Sequence, residues 1–292
     1  MSIIGLRLIV PVEDMEVTIA LTYEFGAQGI QWIEEDDGGP KPGMVWILVW
    51  HDAHDIEAQI RRYHSRLSPQ ATVEKAPSTQ SISASNIPGM ISLTKKYHVH
   101  CVGHGEKSVS TADFDAENSH PIYLEWGSGF GLGEHATTRL CATALEGVLM
   151  QYPRPRMADI GTGTGILSIL AALEGASVSA IDIEDISRAA ARENAHRNHV
   201  SEYVKVMDTL PETARFQVIV ANLYLGSIMM FSDQLHHWIQ PNGSCILSGF
   251  GPQHLPSVLT AYEDQGWTYL RHDIEDDWVA LILRWPSNRS GP

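Results

Sequence analysis

A run of glycines between two acidic residues is the part of the sequence best suited to hold a ligand. Residues 159–165 read Asp-Ile-Gly-Thr-Gly-Thr-Gly, and an alternating apolar run farther along the chain ends at Asp182. Glycine has no Cβ, so Gly161 and Gly163 permit a tight turn and a close approach of a ligand to bare backbone. A carboxylate at the end of the second strand can bind both hydroxyls of a ribose.

The residues around this run predict the elements that position it. An apolar pattern with helical spacing occupies Ile166 to Leu173, and Val178 to Asp182 alternates as a strand does. The predicted order is therefore strand, glycine turn, helix, strand and acidic residue. This is the first half of a nucleotide-binding βαβ unit.

The spacing of the glycines distinguishes between possible ligands. A dinucleotide-binding fold has Gly-x-Gly-x-x-Gly, with the helix N-terminus against the pyrophosphate. Counting from Gly161 places Ile166 at the third glycine position, and counting from Gly163 places Ser168 there. Asp-x-Gly-x-Gly-x-Gly instead resembles the first motif of class I S-adenosylmethionine (SAM) methyltransferases, whose loop holds the methionine part. This favours a methyltransferase over a dehydrogenase, and a turn without a ligand is the third interpretation.

A second glycine-rich stretch lies ahead of this motif. Every second residue of the segment 127–133 is glycine, and His135, Thr137 and Thr138 follow it. We predict a helix from there to about Met150. Thr137 or Thr138 can cap that helix, which is the purely structural interpretation of these residues.

The resemblance becomes specific here. Residues 130–141 read Phe-Gly-Leu-Gly-Glu-His-Ala-Thr-Thr-Arg-Leu-Cys. They resemble the Phe-Gly-Thr-Gly-x-His-x-Thr-Thr-x-x-Cys segment of the PrmA family, bacterial methyltransferases of a large-subunit ribosomal protein. The chain departs from this pattern at Leu132, where the family has Thr. It also has no Trp between residues 76 and 118, where the family carries a tryptophan-rich stretch. The similarity covers residues 122 to about 285, with further matching segments at 159–167, 180–183, 193–198 and 220–223.

The resemblance implies both a fold and a cofactor. The fold is α/β, a class I methyltransferase domain with a Rossmann-like, mostly parallel sheet and an antiparallel hairpin at one edge. The cofactor is SAM. Asn222 is implied to be catalytic as well, because related N-methyltransferases hold the attacking nitrogen at this position; a simple turn after a strand is the alternative. The positions implied to bind SAM are Phe130, Thr138, Gly161, Gly163, Asp182 and Asn222.

The chain divides into three parts by composition and pattern. Residues 1–75 alternate strand and helix patterns in the order βαββαβ, which predicts a small α+β ferredoxin-like domain. From residue 76 the composition turns to Ser, Thr, Pro and Gln, so we predict a linker over 76–118. The methyltransferase domain then occupies 119–292. We interpret 1–75 as a substrate-recognition module, with a purely structural role as the alternative.

Three histidines and a cysteine lie close together in the predicted linker. His98, His100, Cys101 and His104 could bind a metal ion, but their spacing matches no standard zinc pattern. We therefore expect no metal site. The chain has three scattered cysteines in all, which is typical of a protein in a reducing compartment.

The charge and hydropathy of the chain restrict its partners. The formal net charge is −15, from 35 acidic residues against 20 Lys plus Arg. Such a surface repels phosphate backbones, so we expect no direct nucleic-acid binding, and it attracts a basic protein. The alternative explanation is that the negative charge serves only to keep the protein soluble. The longest uncharged apolar stretch, Ile160 to Leu173, is too short for a membrane span, and the N-terminus lacks a signal-peptide pattern. We expect a cytoplasmic protein.

The sequence thus predicts a SAM-dependent protein N-methyltransferase. Its substrate would be lysine side chains or the N-terminal amine of a ribosomal protein or a similar basic protein. Two alternatives are a methyltransferase of a small molecule and a nonenzymatic SAM-binding scaffold. A separate N-terminal domain favours a macromolecular substrate. We propose no general base; His135 is the best candidate for one, and anchoring of the loop is its alternative role.

Overall fold

The protein, seen here as a computed structural model, contains two compact units. Of the described residues, those before residue 88 belong to one unit and those after it belong to the other. Within the second unit, no described helix is long and apolar enough to cross a bilayer, and the same holds for the described part of the first. The structure describes residues 3–11, 14, 18, 21–22, 25, 29–33, 44–52, 56–75, 90–102, 120–125 and 132–287.

The first unit is a four-stranded antiparallel sheet with a helix. The sheet order is β2-β3-β1-β4, and alternate residues of β1, such as Leu6 and Leu8, are buried with Tyr63 of the helix. These elements agree with the predicted α+β domain. Most of the first predicted helix, Met15 to Phe25, lies outside the described residues. The elements are β1 (Ile3–Pro11), β2 (Gly29–Ile33), β3 (Met44–Asp52), α1 (Ile56–Arg66) and β4 (Thr72–Lys75).

The second unit begins with strands where the sequence predicts a linker. A three-stranded sheet contains β5 (Ile91–Ser92), β6 (Tyr97–Val102) and β7 (His120–Glu125), with β6 and β7 parallel. Tyr97 and Val99 are buried in the same core as the glycine-loop region. The prediction of a linker over 76–118 is therefore wrong for residues 90–102. The burial pattern of β6 is not a strict alternation, since Val99 and His100 are both buried, and the stretch therefore lacks the period of two that identifies a half-buried strand.

The main sheet of the second unit has seven strands in the order β10-β9-β8-β11-β12-β14-β13. The first five of these strands are mutually parallel, whereas β14 pairs antiparallel with β12 and with β13. This confirms the predicted Rossmann-like sheet with an antiparallel hairpin at one edge. The strands are β8 (Arg156–Ile160), β9 (Ser177–Ile181), β10 (Val204–Met207), β11 (Phe216–Asn222), β12 (Ile239–Phe250), β13 (Thr268–Glu275) and β14 (Trp278–Arg284).

Helices cover both faces of this sheet. One core contains apolar residues of the first three helices of the unit, and another contains residues of the last two. The helices are α2 (Ala136–Leu149), α3 (Ile166–Leu173), α4 (Asp185–Arg197), α5 (Leu225–Phe231) and α6 (Leu255–Asp264).

One predicted helix has different bounds. The sequence pattern predicts a helix from Ile228 to Trp238, but α5 ends at Phe231 and a separate 3-10 turn occupies Leu235–His237. The hydroxyl of Ser232 donates a hydrogen bond to the carbonyl oxygen of Met229 at 2.8 Å. Local bonds of this kind compete with continuation of a helix.

Candidate active site

Three predicted site residues lie side by side at the ends of three adjacent strands of the main sheet. Ile160 of β8 is paired with Ile181 of β9 on one side and with Ala221 of β11 on the other. The next residue of each strand is Gly161, Asp182 or Asn222. Because the three strands are parallel, these residues meet at the carboxyl edge of the sheet, where open α/β sheets bind ligands.

The glycine loop is held by the end of β9. The backbone N–H groups of Gly161 and Thr162 donate hydrogen bonds to the carbonyl oxygen of Ile181 at 2.8 and 2.9 Å. The N–H of Gly163 donates to Oδ2 of Asp182 at 3.0 Å. Gly161 and Gly163 have φ angles of +75° and +53°, which residues with a Cβ rarely adopt. The loop therefore needs glycine at both positions for conformational reasons.

A leucine beside Asn222 is enclosed by two glycines. A Cβ added at Gly161 would overlap the side chain of Leu223. A Cβ added at Gly249 would lie 2.7 Å from the carbonyl carbon of Leu223, at a φ of +99°. Gly249 lies outside the motifs that predict the site. It lies one residue before the end of β12, and a glycine inside a strand signals such a close approach of two backbones.

Asp159 lies beneath the glycine loop and ties it to α3. It is 1% exposed, and its Oδ2 accepts hydrogen bonds from the hydroxyls of Thr162 and Ser168 at 2.7 and 2.6 Å. Burial raises the pKa of Asp159 to about 6, against the lowering effect of the two hydroxyls, and the nearby carboxylate of Asp182 raises it further. These contacts give Asp159 a positioning role under the loop.

Asp182 uses both carboxylate oxygens to organise the backbone around it. Oδ2 accepts from Gly163, and Oδ1 accepts from the N–H of Glu184 at 3.0 Å, just before α4 begins. Each oxygen of a carboxylate has a second lone-pair direction. The half-buried carboxylate can therefore also accept hydrogen bonds from hydroxyl groups of a ligand.

His135 caps α2, whereas the sequence analysis assigns the cap to Thr137 or Thr138. Nδ1 of His135 accepts the backbone N–H of Thr137 at 3.3 Å and lies 2.8 Å from its hydroxyl oxygen. Burial is the largest of the effects that lower the pKa of His135, which favours the neutral ring whose Nδ1 can accept. The cap shifts because the helix already begins at Ala136. These contacts favour loop anchoring over general-base catalysis.

Thr138 carries an unpaired polar atom. The residue is 1% exposed, and its Oγ1 is buried without a hydrogen-bond partner among the described residues. A buried hydroxyl without a partner costs about 1–3 kcal/mol. The hydroxyl of Thr138 therefore fits a ligand that brings a polar group to the first turn of α2.

Asn194 of α4 and Asn198, the residue that follows this helix, fasten β7 and the glycine loop, a role that the sequence analysis missed. Asn194 donates to the carbonyl oxygen of Thr164 at 2.9 Å and accepts the N–H of Glu125 at 3.0 Å. Asn198 accepts the N–H of Tyr123 at 2.8 Å and donates to its carbonyl oxygen at 2.7 Å. The signal was present in the family-like segment 193–198, where the two asparagines are four residues apart on one helix face.

The remaining predicted positions are less constrained by the structure. Phe130 lies outside the described residues. The side chain of Asn222 is half-buried at the end of β11. No group of three or more His, Cys, Asp or Glu residues within the described ranges is arranged to hold a metal ion, and His104 lies outside those ranges.

Comparison with known proteins now identifies the family. Residues 94–285 match the family described as ribosomal protein L11 methyltransferase (PrmA). The chain belongs to the PrmA family. The matched region is therefore the part of the chain that carries the methyltransferase family's domain.

Individual members of the PrmA family can be aligned with different lengths of this chain. Ribosomal protein L11 methyltransferase from Bacillus velezensis is 37% identical over 169 residues, which cover 56% of this chain and 53% of that protein. The match thus spans about half of that relative. The protein of the same name from Syntrophotalea carbinolica is 28% identical over 300 residues, which cover 94% of this chain and 96% of that protein.

A solved structure supports the fold. The ribosomal protein L11 methylase from Lactobacillus delbrueckii subsp. bulgaricus superposes with a TM-score of 0.59 and is 27% identical in sequence. The superposition covers 68% of this chain and all of that chain.

Proposed function

We propose that the protein transfers methyl groups from SAM to amino groups of a ribosomal protein of the L11 type, at lysine side chains or the N-terminal amine. The observation that carries the proposal is the shared strand edge at which Gly161, Asp182 and Asn222 meet. The substrate class is supported by the names of the relatives, which are ribosomal protein L11 methyltransferases.

Several residues of the chain would hold SAM, which supplies a methyl group already activated by its sulfonium. Thr138 would donate or accept a hydrogen bond at the methionine part, where its hydroxyl is otherwise unpaired. Gly161 and Gly163 would let the backbone approach the ligand. Asp182 would accept the two ribose hydroxyls, on carboxylate oxygens that the backbone already orients. Phe130 is the further position that the family resemblance assigns to this site.

Asn222 would orient the acceptor amine. The amine must be neutral to attack, and for lysine, with a pKa near 10.4, deprotonation at pH 7 costs about 4.6 kcal/mol. Desolvation beside a positive charge lowers this cost. The side-chain oxygen of Asn222 can accept an N–H of the amine and thereby aim its lone pair. The chain would then contribute mainly positioning, without a dedicated general base.

The N-terminal unit would recognise the substrate. The compact unit before residue 88 contains a four-stranded sheet and a helix, and the chain as a whole carries a formal charge of −15. Such a charge attracts a basic protein and disfavours direct contact with nucleic acid. A ribosomal substrate would place the reaction in the cytoplasm.

Methyl transfer to purified L11-type ribosomal protein, with radiolabelled SAM, tests the proposal. The wild-type protein should label the substrate at amino groups, located by mass spectrometry of peptides. Asp182→Ala should lower SAM affinity at least about tenfold, because charge-assisted bonds to the ribose are lost. Asp208→Ala is the matched control, since Asp208 follows the neighbouring strand β10 and is exposed. SAM binding without any protein labelling would support the small-molecule or scaffold alternatives.

A shortened chain tests the role of the N-terminal unit. A protein that begins at residue 88 retains β5 and β6 and should bind SAM, but it should lose most transfer to the ribosomal protein. A protein that begins at residue 118 lacks the core residues Tyr97 and Val99 and should fold poorly. Full transfer by the protein that begins at residue 88 would contradict a recognition role.

A further inference from the structure

The last hairpin of the sheet reaches the start of α2. Its tip, residues Glu275–Trp278, connects β13 to β14 and includes Asp276 in a left-handed conformation with a φ of +51°. Non-glycine residues seldom adopt this conformation, although Asp tolerates it better than most. The tip is acidic, and it lies against the one helix whose first turn carries the unpaired hydroxyl of Thr138.

Arg139 joins this hairpin tip to the loop before α2. Its Nε and Nη2 contact Oε1 of Glu275 at 2.6 and 2.5 Å, and Nη2 lies 3.6 Å from Oδ2 of Asp276. On its other side, Nη1 donates a hydrogen bond to the backbone carbonyl oxygen of Glu134. A planar guanidinium with several fixed donors can bridge two elements in this way, whereas a lysine ammonium is a single point charge.

A second contact between the same elements runs parallel to the first. The ring of His135 packs edge-on against Trp278 of the hairpin tip, with centroids 4.8 Å apart. The carbonyl oxygen of His135 accepts the backbone N–H groups of Thr138 and Arg139 at 3.0 and 3.3 Å. The residues that the hairpin tip contacts are therefore the ones that hold the backbone of Thr138 in place.

We propose that the hairpin tip positions Thr138 for the methionine end of SAM, with Arg139 and Glu275 as positioning residues for the methyl-transfer reaction. The inference rests on the proposed function of Thr138. Arg139 and Glu275 act through the backbone of the first turn of α2 and do not themselves touch SAM. Their loss leaves the hydroxyl of Thr138 buried but misaligned.

Steady-state kinetics with radiolabelled SAM test this role. Arg139→Gln and Glu275→Gln should each raise about tenfold both the KM for SAM and the Kd for SAM measured by calorimetry without an acceptor. The kcat at saturating SAM should change little, because misplacement of a binding group weakens the ground-state complex. The double variant should be no worse than either single variant, because the two residues form one unit. Arg139→Lys should restore only part of the affinity.

The same hairpin offers a matched control pair. Arg271 and Asp273 of β13 form an ion pair at 2.5 Å, and their side chains are 51% and 37% exposed. Arg271→Gln and Asp273→Asn should leave the KM for SAM unchanged. An unchanged KM in Arg139→Gln, or an equal rise in the control variants, would overturn the inference while leaving the proposed function intact. Failure of the wild-type protein to bind SAM would overturn both.

Discussion

The glycine loop and the segment Glu134–Arg139 supply two parts of one candidate site, and they are held in different ways. The loop is fixed by backbone bonds to the end of the adjacent strand and by Asp159, which contacts residues three and nine positions away. The segment is fixed by side chains of a hairpin that lies 136 residues farther along the chain. A short motif can encode the first arrangement, whereas the second depends on the completed fold.

The largest expected effect comes from disrupting the close packing of Gly249 against Leu223. Gly249→Ala would place a Cβ against the backbone of Leu223, which cannot move aside as a side chain end can. We expect a loss of about 3–5 kcal/mol in the free energy of unfolding, or no folded protein. Chemical denaturation followed by circular dichroism measures this.

A second glycine separates steric overlap from backbone strain. Gly175 has a φ of +89°, close to that of Gly249, but an added Cβ there meets nothing within 4 Å. Gly175→Ala should cost only the strain of a left-handed residue, about 1–2 kcal/mol. Equal losses in the two variants would show that the contact with Leu223 is unimportant.

The next prediction concerns how the carboxyl group of Asp159, beneath the glycine loop, makes the free energy of unfolding depend on pH. Asp159 has a pKa of about 6 in the folded protein against an ordinary value of 3.8, so the folded state binds the proton more tightly than the unfolded state. The resulting stabilisation is complete below pH 4 and is lost as the pH rises through 6, a change of about 3 kcal/mol.

Comparison with Asp159→Asn isolates this contribution. The variant keeps an acceptor for Thr162 and Ser168 but cannot titrate. Urea denaturation between pH 4 and pH 7 should show the wild-type protein losing stability relative to the variant. A constant difference between the two proteins across this range would show that Asp159 does not titrate there.

The smallest expected effect concerns the segment Glu134–Arg139, which the distant hairpin holds. His135→Ala removes the cap of α2 and the contact with Trp278, and should cost about 1 kcal/mol of stability for the cap. His135→Asn restores a good capping side chain without the ring. If the ring contact positions Thr138, the Asn variant should regain stability but not SAM affinity, measured by calorimetry. Recovery of both would assign His135 a capping role only.

The motif residues could be predicted because their positions follow from local rules. Glycine spacing and a strand-end acid depend on neighbours within one βαβ unit, and the parallel pairing of β8, β9 and β11 brings Gly161, Asp182 and Asn222 to one edge. The strands within residues 90–102 could not be predicted, because the polar composition of this stretch hides which residues face a core that forms only in the folded protein.

The family, the parallel sheet, the closing hairpin and the positions of the glycine loop and of Asp182 could all be read from the order of the residues. Only the tertiary structure revealed the role of Gly249, the cap at His135 and the bridge from Arg139 to Glu275. The physical reason is the separation, along the sequence, of the residues that interact. Backbone conformation and strand ends are set by residues near in sequence, whereas a steric fit or an ion pair between distant segments exists only after the sheet has brought them together.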